Sequence, residues 1–141
     1  MTRGEFQKLA REKFAFLTGF GFTEESVDSD PDSVMFSKED YVITLKWEDY
    51  GTYICGFVER EDSAGSFDMN AFIKLLAPAR YREVNPGQFS SDFSREDVVL
   101  YLSSTFEMIL DEFWDRRNEL WSTLVARLEE HRKSGQQNID S

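Results

Sequence analysis

The chain has 141 residues, with 27 acidic side chains against 16 basic ones, one histidine and one cysteine, for a formal net charge of −11. A single cysteine excludes an intrachain disulfide and a zinc–thiolate site, and a single histidine excludes a histidine metal cluster. Thirteen phenylalanines and a 40% hydrophobic content predict one folded domain with a Phe-rich core rather than an acidic disordered chain.

Residues 4–20 place Phe6, Leu9, Ala10, Phe14, Phe16, Leu17 and Phe20 within an arc of about 160° at helical period, which predicts an amphipathic helix. Thr2 is its expected cap, with Glu5 three residues on. Gly19 and Gly21 in "GFGF" are expected to end it, since both tolerate left-handed backbone. A weak strand follows over Phe22 to Val27.

The pattern then changes to period two. "SVMF" puts Val34 and Phe36 on one face, and "YVITLKWE" puts Tyr41, Ile43, Leu45 and Trp47 opposite Thr44, Lys46 and Glu48. In "TYICGFVER", Tyr53, Cys55 and Phe57 alternate with Ile54 and Val58. "SKED" and "EDYG" are the turns between these strands.

After the polar loop "EDSAGS", "FDMNAFIKLLAP" predicts a short helix stopped by Pro78, and residues 79–93 a loop. Ser94 with Asp97 starts a long helical stretch through Val99, Leu102, Phe106, Ile109 and Phe113, continued by Leu120, Leu124 and Leu128. An unbroken helix would run roughly 50 Å, so a bend is expected near Asp115–Asn118. The expected architecture is α+β: an antiparallel β-meander of three to four strands with an N-terminal helix and C-terminal helices packed on one face. Residues 1–133 form the domain, and residues 134–141 a frayed tail.

Charge is unevenly spread. Residues 20–73 hold thirteen acids against Lys38, Lys46 and Arg60, a net of −10. Such a field repels nucleic acid and acidic membranes and attracts basic proteins or cations. The N-terminus lacks the apolar core of a signal peptide, and no apolar run reaches the roughly 18 residues of a membrane span. With the lone cysteine, this predicts a cytoplasmic protein.

Catalytic signals are absent. The chain has no phosphate-binding loop, and "GFGF" lacks the third glycine of a dinucleotide loop. His131 sits in the charged "EEHRKSG", and carboxylate pairs carry little information among 27 acids. No enzyme activity, catalytic residue or cofactor is expected. Cys55, mid-strand, reads as a structural thiol.

"DSDPDSVMFSKE" places Asp28, Asp30, Asp32 and Glu39 at the first, third, fifth and twelfth positions of a calcium loop. Ser33 stands where that loop needs glycine, and the flanks alternate like strands rather than helices. A turn between strands is therefore the plainer reading, no metal ligand is assigned, and a cation-binding module is kept as the alternative. The leading site is the acidic surface from Glu24 to Asp62, with Glu24, Glu25, Asp28, Asp30, Asp32, Glu48, Asp49 and the turn-tip Tyr50 as partner-binding residues. Aromatic area among carboxylates suits a basic protein surface. Trp47 and Tyr53 are read as core. A second stripe on the last helix, Leu110, Trp114, Trp121 and Val125, fits either burial or a homodimer interface, the basis of an oligomeric structural subunit as a further alternative.

The opening helix closing on "FLTGFGF", the strands "SVMFSKEDYVITLKWEDYGTYICGFVER" and the helix-rich end with "LWSTL" resemble small bacterial immunity proteins that neutralise secreted toxins. That resemblance implies a non-enzymatic binding protein with an acidic surface and a toxin-like basic partner.

Overall fold

A computed structural model describes residues 1–25, 30–48, 53–63, 65–82 and 94–140, with the side chains of the last helix described through Ser134. The strands are β1 (Thr23–Glu25), β2 (Ser33–Lys38), β3 (Tyr41–Glu48), β4 (Tyr53–Arg60) and β5 (Ser66–Asp68). The helices are α1 (Arg3–Lys13), α2 (Ala15–Gly19), α3 (Met69–Leu76), α4 (Arg95–Asp115) and α5 (Arg117–Asp140), with a 3₁₀ turn at Pro78–Arg80. The strands form one antiparallel meander in chain order. The fold is thus the expected α+β class, with five strands rather than three to four.

Register decides which side chains meet the helices. Val34 lies opposite Leu45, Phe36 opposite Ile43, Ile43 opposite Val58 and Trp47 opposite Ile54. With side chains alternating along each strand, these residues and Tyr41 share one face, and all are buried. Against them pack Phe6, Ala10 and Phe14, Met69, Phe72 and Ile73, and the α4 line Val99, Leu102, Phe106, Ile109 and Phe113. Gly56 sits among the core-facing residues because Met69 leaves no room for a side chain: a Cβ there would lie 3.0 Å from the Met69 methyl.

The first helix is not continuous. It breaks at Phe14 (φ −99°, ψ 12°), where α1 gives way to α2. With the break, Phe14 and Leu17 are both fully buried. Helix α2 ends in a Schellman motif: the Phe22 N–H donates to Leu17 O (2.9 Å) and the Gly21 N–H to Thr18 O (3.1 Å). Gly21 takes φ +108° there, while Gly19 stays within the helix. The Thr2 hydroxyl accepts the Glu5 N–H at 3.1 Å, and Ser94 and Asp97 form a complete capping box.

Helices α4 and α5 meet at Arg116, inside the expected bend, and Arg116 pairs with both Glu112 and Glu119. Leu120, Trp121 and Leu124 are buried, whereas Leu128 is 43% exposed and α5 has no buried residue from Ala126 to Ser134. Its helical backbone runs on to Asp140.

The second stripe on these helices is consumed within the chain. Leu110 and Trp121 are buried, Trp114 packs edge-on to Phe22 and Tyr41, and Trp121 packs edge-on to Phe67. Lys38 Nζ and the Arg117 guanidinium also lie over Trp114, at 4.6 and 4.0 Å from ring centroids. The feature that suggested a homodimer is therefore accounted for by intrachain packing.

Candidate functional site

The helices pack on one face of the sheet, and the buried core is built from that face. The other face carries the alternate residues: Glu25 on β1, Ser33, Met35 and Ser37 on β2, Val42, Thr44, Lys46 and Glu48 on β3, Tyr53, Cys55, Phe57 and Glu59 on β4, and Asp68 on β5. Met35, Val42, Tyr53, Cys55 and Phe57 take no part in the core cluster. The face therefore has an apolar centre, with the row Met35–Thr44–Phe57 running across three strands, and an acidic rim. Four carboxylates face one base, Lys46, whose Nζ lies 3.8 Å from Glu48 Oε1.

Thr44 is only 7% exposed in that row, and its hydroxyl has no hydrogen-bond partner among the described residues. Burial pushes the neighbouring Cys55 thiol up to about 12, with Glu48 and Asp68 adding to the shift. A thiol held protonated is a poor nucleophile and a poor metal ligand. The chain's one histidine, His131, is on α5 and not on this face.

Of the acids expected to bind a partner, Glu25 and Glu48 stand on the open face. Glu25 accepts the Ser37 hydroxyl hydrogen bond. Glu24 points the other way and pairs with Arg11 at 3.0 Å. Asp30 is used in its own turn: Oδ1 accepts the Asp32 N–H at 3.1 Å and Oδ2 the Ser33 hydroxyl at 2.9 Å. Asp32 pairs with Arg3 at 2.7 Å, which fixes α1 against this turn. Asp28, Asp49 and Tyr50 lie outside the described residues. Trp47 is buried against Phe6, while Tyr53 is half-buried on the open face and not in the core.

The calcium-like spacing is dispersed by the fold. Glu39 lies beyond the far end of β2, which separates it from Asp30 and Asp32 by on the order of 20 Å at the strand rise. It sits in the β2–β3 turn at φ +54° and pairs with Arg117 at 3.0 Å. Among the described residues, no three acidic, histidine or cysteine side chains are grouped to hold a metal ion.

Sequence reading overlooked Glu59, Asp68, Met35 and Phe57 as members of this surface. The period-two pattern of β2 and β4 already contained Met35, Phe57 and Glu59, once the inward set was assigned to Val34, Phe36, Ile54 and Val58. Among the described residues, no helix is long and apolar enough to cross a membrane. Comparison of the chain with protein-family models, with curated proteins and with solved structures finds no match.

Proposed function

We propose that this chain is a non-enzymatic, cytoplasmic binding protein whose open sheet face captures a basic protein, in the manner of a toxin-neutralising immunity protein. The supporting observation is the face itself: an apolar centre ringed by Glu25, Glu48, Glu59 and Asp68, against the single base Lys46. Apolar area supplies affinity, and the carboxylate rim steers a cationic partner and rejects anionic ones. Three other acids of the middle third, Asp32, Glu24 and Glu39, are paired with Arg3, Arg11 and Arg117. The lone cysteine fits a reducing compartment.

The test is affinity capture on the wild-type chain and on a Glu25→Lys/Glu48→Lys/Glu59→Lys variant shown by circular dichroism to be folded. The reading expects a basic protein retained by the wild type, released by salt and lost from the variant. It also expects that protein, expressed alone, to arrest growth, and co-expression of this chain to restore it. Equal retention on both matrices, or no basic protein on either, would sink the binding reading. A basic partner without toxicity would remove the immunity role and leave the binding role standing.

A further inference from the structure

The open face is electrically polarised along its length. At one end a cleft of about 360 Å³ lies between Val42, Glu59, Glu61, Ser63 and Ser66. Neither of its two carboxylates makes an ion pair or a side-chain hydrogen bond among the described residues. Arg60 also borders the cleft, but its guanidinium is paired with Asp62 and lies over the Trp121 ring. At the other end of the face Lys46 Nζ lies 3.8 Å from Glu48 Oε1, so the charges there cancel.

The shape of the apolar part limits what can cover it. Glu25 and Asp68 close the two ends of the row Glu25–Met35–Thr44–Phe57–Asp68, which crosses all five strands. The apolar band between them spans β2 to β4, two strand spacings or about 10 Å. That is the diameter of one α-helix. A second sheet would have to lay strands over β1 and β5 as well, onto those two carboxylates. Along β3 the track from Val42 to Glu48 runs about 20 Å, which a helix covers in about 13 residues. The opposite face of the same sheet already packs α1 and α4.

We infer that the open face receives one amphipathic α-helix of the partner, laid along β3 and β4 with a basic first turn at the Glu59–Glu61 cleft. Its apolar stripe covers Met35, Val42, Thr44 and Phe57, as helices do in apolar grooves. An arginine of the first turn enters the cleft, with its stem against Val42. Two carboxylates and two serine hydroxyls there can accept all five guanidinium donors, whereas an ammonium has only three. The macrodipole sets the direction: the positive N-terminus lies at the unpaired carboxylates and the negative C-terminus toward Lys46. The inference rests on the basic-partner reading and adds the partner's shape and direction to it.

Three fluorescein-labelled peptides test it by anisotropy at low salt. The first is a helix-stapled leucine–alanine peptide with two arginines in its first turn. The second carries those arginines in its last turn, and the third is unstapled with a central proline, so both keep the charge. The first is expected to bind at least tenfold more tightly than either, and to lose that preference on a Glu59→Gln/Glu61→Gln variant. A nitroxide at its N-terminus should broaden the amides of Glu59, Glu61 and Ser66 and spare those of Lys46 and Glu48. Equal binding of the proline peptide overturns helix docking while leaving charge capture intact. Equal binding of the second peptide, or a preference kept by the glutamine variant, overturns the direction and the role of the cleft. No binding of any of the three overturns the inference and the basic-partner reading together.

Discussion

Gly56→Ala examines the packing that joins the sheet to α3. The added Cβ would lie 3.0 Å from the Met69 Cε, 3.2 Å from its Sδ and 3.3 Å from its Cβ. A flexible side-chain tip could swing aside from the first two contacts, but the third is fixed to the first residue of α3, and Met69 is fully buried. Overpacking of this kind costs about 1–3 kcal/mol. Replacing glycine within a strand returns roughly 0.5–1 kcal/mol of chain entropy, so the net loss is about 0.5–2 kcal/mol. For a domain of this size, that lowers Tm by roughly 2–7 °C. Urea and thermal denaturation provide the assay, with Gly19→Ala as the comparison: it has no atom within 4 Å of its new Cβ and should be neutral or stabilising by up to about 1 kcal/mol. A Gly56→Ala protein as stable as wild type would refute the claim that Met69 and α3 are held against the bare backbone of β4.

Three further outcomes can be checked by the same methods. Burial raises the Tyr41 and Tyr101 hydroxyls above their ordinary value, and the Cys55 thiol to about 12. As pH rises past about 9, the unfolded chain releases these protons before the folded one does. Stability should therefore be full below that pH and fall toward pH 12; a urea midpoint that is flat from pH 8 to 11 contradicts this, and Cys55→Ser should soften the decline. Tyr41→Phe removes a hydroxyl that donates to Asn118 Oδ1 at 2.9 Å and ties β3 to α5. It should cost about 1 kcal/mol, and a loss below the error of a urea titration would mean that the bond contributes nothing. Thr44→Val replaces an unpartnered buried hydroxyl with a methyl group of similar shape. It should stabilise by about 0.5–1.5 kcal/mol, whereas a destabilised variant would show that the hydroxyl has a partner.

Strand faces were readable because alternation of side chains is local and strict: once Val34, Phe36, Ile43 and Leu45 turn inward, Met35, Thr44 and Lys46 must turn outward. The caps at Thr2 and Ser94 were readable for the same reason, each bond closing over three residues. β5 was not, because Ser66–Asp68 has no pattern of its own and is a strand only through its pairing with Phe57–Glu59. The break at Phe14 depends on how the helix meets the sheet, which periodicity does not contain. The site was half legible. Net charge over the middle third drew attention to the strands that carry Glu25, Glu48 and Glu59, but it did not show that Arg3 and Arg11 of α1 and Arg117 of α5 engage Asp32, Glu24 and Glu39. Linear spacing made Asp30, Asp32 and Glu39 resemble one ligand set, while β2 holds its two ends apart.

The central claim is that the open sheet face, and not the helical layer, meets a basic partner. Its most direct test is an amide chemical-shift titration of the full chain with an octapeptide of alternating lysine and valine at low salt. The account predicts shifts confined to Glu25, Met35, Val42–Glu48, Tyr53–Glu59 and Asp68, lost when Glu25, Glu48 and Glu59 are changed to lysine. Shifts centred on α1, α4 or α5, or the same shifts persisting in the lysine variant, would contradict it.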